Sequence, residues 1–535
     1  MPFQAAKLVL TGVMLLMTIH LAAAEPDRGL MNRYDVARDA ELRERAADWR
    51  NGAIVYQILV DRFAPPGDPQ AKARFYQPPR VLKAWSELPR GGPFLEAAQV
   101  WAHEIEFWGG DLAGLQSRLD YLQQLGVEVV YLNPIFESFT NHKYDAWDYH
   151  KVDPAYGTRE DLARLADDLH RRGMRLVLDG VFNHMGRQSP MFQDALTNPN
   201  SPWRDFFQMT PANGRGYVGW LDVPNLPELK LENPAVRDWL FGRDDSVVQS
   251  YLRREGIDGW RLDVAFDLGF RYLHDLTQAA HTAKPGSLVI GEIWNYPEEW
   301  HPSVDGVMNM HGRQILIRML EGKLDPRLAA EMWETLIADA GMQHILKTWL
   351  VLDNHDTPRL ATLLPEDWQQ RMARVLQFTL PGSVCLYYGS EVGMTGGRDP
   401  EMRAPMRWDL VAAEPPLWRF HRDLIALRKR EPALRYGDFR RLPAARTFAF
   451  LRRTNVVRQT VLVVANPGPR AVQEFIQVRD SKLMDVTHLQ DQLSDQRCTV
   501  YSGCLDVKVP ARTVLVLKPV TDPLPKGYNR YDRIY

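Results

Sequence analysis

Residues 257–264 read IDGWRLDV, a short apolar run that ends in an arginine and an aspartate. Side chains alternate between the two faces of a strand, so Arg261 and Asp263 would point the same way from this one. An arginine beside a carboxylate favours the ionised form of that carboxylate. The run therefore predicts a strand whose carboxyl end carries a charged pair.

Apolar runs of this kind recur along the chain, and each is followed by a longer segment with helical spacing. They occupy residues 53–60, 127–133, 174–181, 257–264, 287–293, 305–310, 347–354 and 383–389. One of the intervening segments, GTREDLARLADDLHRRGM, begins with Thr158 as a candidate N-cap, followed by acidic residues. Alternating strands and helices are typical of a parallel sheet. Eight such units predict the α/β class, as a closed (β/α)8 barrel with its active site at the carboxyl ends of the strands.

Composition narrows the function classes. The 535 residues are 45% hydrophobic and carry a formal charge of -2. This apolar content is too high for a disordered chain. A charge near zero provides no bulk attraction to nucleic-acid phosphates or anionic lipids. We therefore expect a folded protein of two or three domains, with neither nucleic acid nor a membrane surface as its partner.

The pattern divides the chain into unequal parts. Beyond the barrel, alternating strands such as TFAFLRR and TVLVVAN predict a separate antiparallel β domain, and the final residues have little packing signal and are expected to be poorly ordered. Two connections, at 62–110 and 184–231, are too long for simple loops. The predicted parts are a signal peptide at 1–24, an N-terminal segment at 25–52, the catalytic barrel at 53–430, an inserted subdomain at 184–231, a C-terminal β domain at 431–520 and a tail at 521–535.

The N-terminus has the pattern of an export signal. An apolar run from Leu8 to Leu21 follows Lys7 and is itself followed by three alanines that end at Ala24. The run is short for a membrane span, and small residues suit a cleavage site. We expect cleavage after Ala24 and a periplasmic or secreted protein without a membrane anchor; an uncleaved anchor helix is the alternative.

Three cysteines are too few for a disulfide scaffold. Cys385 lies in an apolar run and is expected to be an inert core thiol. Cys498 and Cys504 flank a Ser-Gly turn signal, so they either clip one hairpin or stay reduced.

Acidic residues follow two further strands of the predicted barrel. Glu292 lies at the end of the fifth run, and Asp356 follows the seventh beside His355. The carboxyl ends of the strands meet at one end of a barrel, so both carboxylates should converge there with Asp263. A single strand-end acid often caps a helix or pairs with a base, but three at corresponding ends indicate catalysis.

These residues stand in motifs that resemble those of the alpha-amylase family of glycoside hydrolases. The matching motifs, in order, are DGVFNH at 179–184, GWRLDVA at 259–265, GEIW at 291–294 and DNHDTPR at 353–359. The resemblance implies Asp263 as the nucleophile, Glu292 as the general acid/base and Asp356 as the carboxylate that grips sugar hydroxyls. A retaining glycosidase needs one ionised and one protonated carboxyl group about 5 to 5.5 Å apart.

The resemblance also implies a set of substrate-binding residues. His184 and His355 would donate hydrogen bonds to glucose hydroxyls, and Tyr144 would stack on the sugar. Asp179 would position Arg261, and Arg359 would support Asp356. The implied activity is hydrolysis of α-1,4-glucosidic bonds in maltooligosaccharides, starch-type glucans or cyclodextrins. A transglycosylase or α-glucosidase of the same family is an alternative, and a noncatalytic glucan-binding protein is a third.

Within the family the chain most resembles neopullulanases, cyclomaltodextrinases and maltogenic amylases. Those enzymes usually carry an N-terminal β domain that helps them dimerise and closes over the neighbour's cleft, whereas residues 25–52 are too few for one. We therefore expect a monomer that accepts linear maltooligosaccharides at least as well as cyclodextrins. About half of five aromatic residues in the second insertion should offer stacking surfaces, and the rest should form the insertion's own core: Trp203, Phe206, Phe207, Tyr217 and Trp220.

No cofactor is required for this chemistry, but a structural calcium ion is an open question. The resemblance matches Asn183 to a calcium ligand of many alpha-amylases, and Asp111 to a second site near the first strand. One observation argues against the second site. The loop that follows Asp61, Arg62 and Phe63 reads APPGD, which is poor in the oxygen ligands that calcium requires.

Overall fold

The computed structural model describes residues 32–412, 414–522 and 529–534. Eight parallel strands form a closed barrel in which each strand pairs with its neighbours in sequence and the first pairs with the last. They are β1 (Ile54–Ile58), β2 (Val129–Leu132), β3 (Arg175–Gly180), β4 (Gly259–Leu262), β5 (Leu288–Ile293), β6 (Gly306–Asn309), β7 (Trp349–Val351) and β8 (Ser383–Tyr387). Each lies inside one of the eight apolar runs, so the predicted barrel is confirmed.

Burial on both faces explains why the strands read as continuous apolar runs. All residues of β1, β2, β4 and β8 are buried. One set of side chains fills the barrel interior, including Tyr131, Met308 and Trp349, whereas the outward-facing set packs under the helices. A parallel sheet covered on both sides leaves no solvent face to carry polar residues.

Helices cover the outside of the barrel. The helix Arg159–Arg171 shows why they form: Thr158 Oγ1 accepts a hydrogen bond from the backbone N–H of Asp161, and buried residues recur every three or four positions. The principal helices of the described residues are Arg33–Ala47, Leu112–Gln116, Leu119–Leu125, Arg159–Arg171, Pro190–Thr197, Pro234–Arg237, Val247–Arg253, Ala265–Ala283, Met310–Leu320, Pro326–Ala340, Met342–Lys347, Leu360–Leu363, Asp367–Thr379, Trp408–Ala412, Pro416–Arg430 and Pro432–Tyr436. Helix Leu119–Leu125 ends at Gly126, whose φ of 96° is favourable only for glycine.

The two long connections border the carboxyl end of the barrel. The insertion after β1 contains a small hairpin, in which Phe94–Leu95 pairs with Val100–Trp101. It also contains a separate parallel pair, Val81–Leu82 with Glu106–Phe107. The insertion after β3 holds helix Pro190–Thr197 and irregular turns.

The aromatic residues of the second insertion divide as the sequence led us to expect. Phe207 and Tyr217 are buried and pack against Phe192, with ring centroids 4.9 and 4.8 Å apart. Trp203 is 36% exposed, and Phe206 is half-buried between it and Trp239. Trp220 lies outside the core of the subdomain, where it contacts His184 and Asp267.

A separate antiparallel sheet of eight strands follows the barrel. Its strands are β9 (Asp438–Arg441), β10 (Phe448–Arg453), β11 (Val461–Asn466), β12 (Val472–Gln477), β13 (Thr487–Asp491), β14 (Arg497–Tyr501), β15 (Cys504–Val509) and β16 (Thr513–Pro519), in the spatial order 9-10-11-16-13-14-15-12. This sheet has its own hydrophobic core. The predicted C-terminal β domain is confirmed.

The cysteines of this domain are free thiols. The hairpin pairs Val500 with Leu505 and Tyr501 with Cys504, so Cys498 and Cys504 are out of register with one another. Cys385 is buried inside the barrel, where burial raises the pKa of its thiol.

Residues 529–534 of the predicted tail pack against the β domain. Tyr531, in the turn Arg530–Arg533, is buried in the core of the β domain, and its hydroxyl lies 2.8 Å from Thr487 Oγ1. The ring of Tyr531 packs in the core of the β domain. The polar residues around it in the sequence gave no indication of this contact.

Within the described ranges, every helix is either too short or too polar to cross a bilayer. The predicted signal peptide at 1–24 lies outside the described residues.

Candidate active site

Four carboxylates meet at the carboxyl ends of the barrel strands. Asp179 lies on β3, Asp263 follows β4, Glu292 lies on β5 and Asp356 follows β7. The register places Arg261 of β4 level with Asp179 and with Ile290, so side chains from three adjacent strands reach the same depth. The convergence predicted from the strand ends is therefore present.

Arg261 connects three of these carboxylates. Its guanidinium is fully buried, and Nη1 lies 2.8 Å from Asp179 and 3.1 Å from Asp263. Nη2 lies 3.0 Å from Glu292. One guanidinium between Asp263 and Glu292 holds the two groups as close neighbours, and a retaining glycosidase needs its two carboxyl groups close together.

The charge balance at Asp263 differs from the sequence expectation. Burial raises the pKa of Asp263 well above its ordinary value, and the negative charges of Glu292, Asp179 and Asp356 raise it further, although Arg261 acts in the opposite direction. Arg261 does not hold Asp263 ionised alone, because it shares its charge among three carboxylates. Because the charges of the cluster act on one another, the titration of Asp263 belongs to the group rather than to one residue.

Two donors that the sequence did not reveal fix Glu292. Val264 adopts a left-handed conformation with φ of 39°, which is costly for a β-branched residue, and its N–H donates to Glu292 Oε2 at 2.9 Å. Trp294 Nε1 donates to Oε1 at 2.8 Å. Both carboxylate oxygens are thus oriented before substrate binds. The position of Trp294 in the GEIW motif could have indicated that it contacts Glu292. The left-handed backbone of Val264 could not be inferred from the sequence.

Tyr144 links Asp179 to His355. Its hydroxyl lies 2.8 Å from Asp179 Oδ2 and 2.6 Å from His355 Nε2, and the rings of Tyr144 and His355 are parallel at 5.3 Å. Gln57 Nε2 lies 2.9 Å from the other ring nitrogen of His355. Burial lowers the pKa of His355 well below its ordinary value, so the imidazole is neutral.

His184 is a second buried histidine of the site. It is buried at the end of β3, and burial lowers its pKa to about 3. The indole of Trp220 stacks on it at 5.6 Å, and Trp220 Nε1 donates to Asp267. Among the described residues, no side chain or backbone group bonds His184 Nε2. A neutral imidazole with an unbonded ring nitrogen is suited to bind a hydroxyl group.

Asp356 receives its support from a residue that the sequence reasoning missed. Arg403 Nη2 lies 3.5 Å from Asp356, and Nε donates to the carbonyl of His355 at 2.9 Å. The prediction that Arg359 supports Asp356 is wrong. Arg359 is fully buried, and it donates to the carbonyls of Met402 and Tyr388 rather than to Asp356. The signal for Arg403 was its position in the stretch RDPEMR after β8.

The two residues matched to calcium ligands already have other partners. Asp111 accepts a hydrogen bond from the N–H of Gly114, and the Lys72 ammonium lies 2.6 Å from its other oxygen. Lys72 also donates to the carbonyl of Ala155 at 2.5 Å. Asn183 donates towards His184 rather than joining a carboxylate group. The described residues contain no set of three acidic, histidine or cysteine side chains that could hold a metal ion. A cationic lysine next to Asp111 does not fit a calcium site.

Comparisons with known proteins agree with this geometry. Residues 57–414 match the family model of the alpha amylase catalytic domain. The chain is 34% identical to neopullulanase 2 of Thermoactinomyces vulgaris, over 81% of this chain and 72% of that protein, and 35% identical to a cyclomaltodextrinase of Bacillus sp, over 78% and 73%. Among solved structures it is similar to the type III pullulan hydrolase from Thermococcus kodakarensis, with a TM-score of 0.74 at 30% identity, covering 88% of this chain and 82% of that one.

Proposed function

The chain belongs to the alpha-amylase family of glycoside hydrolases, and from this premise we propose that it cleaves α-1,4-glucosidic bonds in maltooligosaccharides, starch-type glucans or cyclodextrins with retention of configuration. One observation carries the proposal: the Arg261 guanidinium lies between Asp263 and Glu292 and within 3.1 Å of both. Relatives named neopullulanase and cyclomaltodextrinase support the substrate class.

The reaction proceeds in two displacements. In the first, an oxygen of ionised Asp263 attacks the anomeric carbon, the glucosidic bond breaks, and protonated Glu292 gives its proton to the leaving oxygen. In the second, Glu292 takes a proton from water, the water oxygen attacks the same carbon, and Asp263 leaves. Two inversions at one carbon restore the α configuration.

The surrounding side chains hold the reacting glucose. Asp356 accepts hydrogen bonds from ring hydroxyls, and Arg403 orients that carboxylate. The neutral imidazole of His184, whose Nε2 has no partner among the described residues, can bind a hydroxyl without repelling positive charge that develops on the sugar ring. Both ring nitrogens of His355 already have partners, Gln57 and Tyr144, so the neutral ring of His355 positions Tyr144. Tyr144 offers an aromatic face held by its hydroxyl bonds to Asp179 and His355.

Product analysis tests this function. Chromatography after incubation with maltoheptaose, cyclodextrin, pullulan or sucrose should show shorter maltooligosaccharides from the first two. Proton NMR in the first minutes should show the α anomer. An initial β product would refute retention, products longer than the substrate would identify a transglycosylase, and glucose as the sole early product would identify an α-glucosidase. Binding of starch without turnover would favour a noncatalytic protein.

We also propose that the protein is exported and monomeric, and that it accepts linear maltooligosaccharides at least as well as cyclodextrins. Support for export comes from the apolar run at Leu8–Leu21 and the alanines that follow it. N-terminal sequencing of the protein expressed from its full chain should begin at Glu25, and a mature chain that begins at Met1 would contradict export. Light scattering that shows a stable dimer, with a strong preference for cyclodextrin, would contradict the other two statements.

A further inference from the structure

An exposed tryptophan stands on the hairpin inserted after β1. Trp101 pairs with Phe94 across the hairpin, and 49% of its surface is exposed. Large aromatic side chains are usually mostly buried, because each one covers a large apolar area. The exposed half of the indole is available for contact with a ligand.

Contacts within the hairpin restrain Trp101 in spite of its exposure. The ring of Phe94 meets it edge-on at 5.3 Å, and the ring of His103 lies nearly parallel to it at 6.3 Å. The backbone N–H of Trp101 donates to Glu104 Oε2 at 2.5 Å. We call the exposed face of the Trp101 ring the platform. A side chain restrained by such contacts loses little conformational entropy when a ligand binds.

One line of contacts joins this platform to the active site through Glu104. The second oxygen of Glu104 lies 3.3 Å from His142 Nε2. The other nitrogen of His142 accepts a hydrogen bond from the backbone N–H of Tyr144 at 3.1 Å. Tyr144 in turn contacts Asp179 and His355 at the centre of the site.

A second line of contacts runs through His103. Its Nε2 lies 3.7 Å from Asp399, and Asp399 lies 3.2 Å from Arg403 Nη1. Arg403 reaches Asp356. Asp399 is 40% exposed at its side chain, so polar groups that can bind hydroxyls lie between the platform and the carboxylates.

We propose that Trp101 stacks on a glucose unit of an α-glucan chain beyond the unit that Asp356 holds. The proposal rests on the proposed function and adds a specificity determinant to it. The apolar C–H face of glucose packs on the indole, while the exposed carboxylate of Asp399 accepts hydroxyl hydrogen bonds nearby. Longer oligosaccharides reach this platform and short ones do not, so Trp101 favours long substrates.

Replacing the ring tests the proposal. Trp101→Ala should lower kcat/KM for maltoheptaose about three- to tenfold, the range expected for one lost aromatic contact. The same variant should change kcat/KM for maltotriose less than about twofold. Trp101→Phe keeps an aromatic face and should recover most of the loss. Phe475→Ala, which removes an exposed ring from the C-terminal domain, is the matched control and should affect neither substrate.

The outcomes separate the platform from a structural role. Equal losses on both substrates, with a lower melting temperature for Trp101→Ala, would show that the ring only holds the hairpin and would overturn the proposal. Unchanged kinetics on both substrates would overturn it too. Should the wild-type protein hydrolyse neither substrate, the proposed function fails; calorimetric titration of maltoheptaose into the wild type and Trp101→Ala then decides on the platform by the ratio of their Kd values.

Discussion

Arg261 sets the electrostatics of the active site at the scale of single residues. It is the cation in direct contact with Asp179, Asp263 and Glu292, all of which are buried. Because three carboxylates share one positive charge, the protonation of Asp263 depends on the charges of its neighbours. The chemistry therefore depends on the whole cluster rather than on a single activated residue.

The nucleophile can be tested by an isosteric change. Asp263→Asn should lower kcat on maltoheptaose by about four orders of magnitude or more, because the amide cannot attack the anomeric carbon. The fold should persist, since the side chain keeps its size. Circular dichroism and initial rates are the measurements, and Asp423→Asn on the surface is the control. Turnover within tenfold of the wild type would remove Asp263 from its assigned role.

Arg403 and Arg359 should fail in different ways. Arg403→Gln should reduce kcat/KM about a hundredfold or more with a near-normal melting temperature, because Asp356 loses its positive neighbour. Arg359→Gln should instead lower the melting temperature, because the carbonyls of Met402 and Tyr388 lose their donor. Calorimetric melting and steady-state kinetics of both variants distinguish the roles. The opposite pattern would restore Arg359 as the support of Asp356.

Charged side chains connect the insertion after β1 to neighbouring loops of the barrel. Lys72 of the short helix Pro69–Ala73 reaches Asp111 and the carbonyl of Ala155. Lys143, in the loop after β2, is buried and lies 2.6 Å from Asp153 and 5.5 Å from the ring of Phe107 in the insertion. The Lys72 ammonium supplies a positive charge beside Asp111.

Metal removal should therefore leave the protein unchanged. Dialysis against a chelator should not shift the melting temperature, because the Lys72 ammonium already neutralises Asp111. Lys72→Met should lower the free energy of unfolding by about 1 to 3 kcal/mol, since Asp111 is left unpaired. Lys83→Met, at a more exposed pair with Glu87, is the control. A chelator-induced loss of stability that added calcium reverses would contradict this expectation.

Several buried histidines influence the stability of the whole molecule. Burial lowers the pKa of His301 and of His421 to about 3, and both ring nitrogens of His301 lack a partner among the described residues. An unfolded chain protonates such residues near pH 6.5. Their contribution to stability is complete above that pH and is lost as the pH falls towards 3, because only the unfolded state takes up the protons.

His301→Phe should make the protein less sensitive to acid. The melting temperature of the variant minus that of the wild type should be higher at pH 5 than at pH 8. The reason is that the variant has no imidazole at this position to protonate on unfolding. The expected difference in the free energy of unfolding is about 2 kcal/mol over this interval. His488→Phe, at an exposed histidine, is the control. An equal effect of His301→Phe at both pH values would show that His301 does not titrate on unfolding.

The sequence by itself determined the barrel and the strand ends that carry its carboxylates. Eight apolar runs with helical segments between them mark the strands, because a parallel strand buried on both faces must be apolar throughout. Local periodicity and residue type were sufficient for these features. The pairing of Arg261 with Asp179 came instead from the resemblance of their motifs to those of the alpha-amylase family.

Only the tertiary structure decided the contacts between loops and the balance of charge. Arg403 reaches Asp356 from 47 positions away along the chain, and Lys72 reaches Asp111 across an insertion without periodicity. The pKa of Asp263 depends on a sum over four charged neighbours whose distances no local pattern specifies. Loop conformations depend on packing against the closed barrel, and electrostatic energies depend on distance and burial, so both become defined only once the chain has folded.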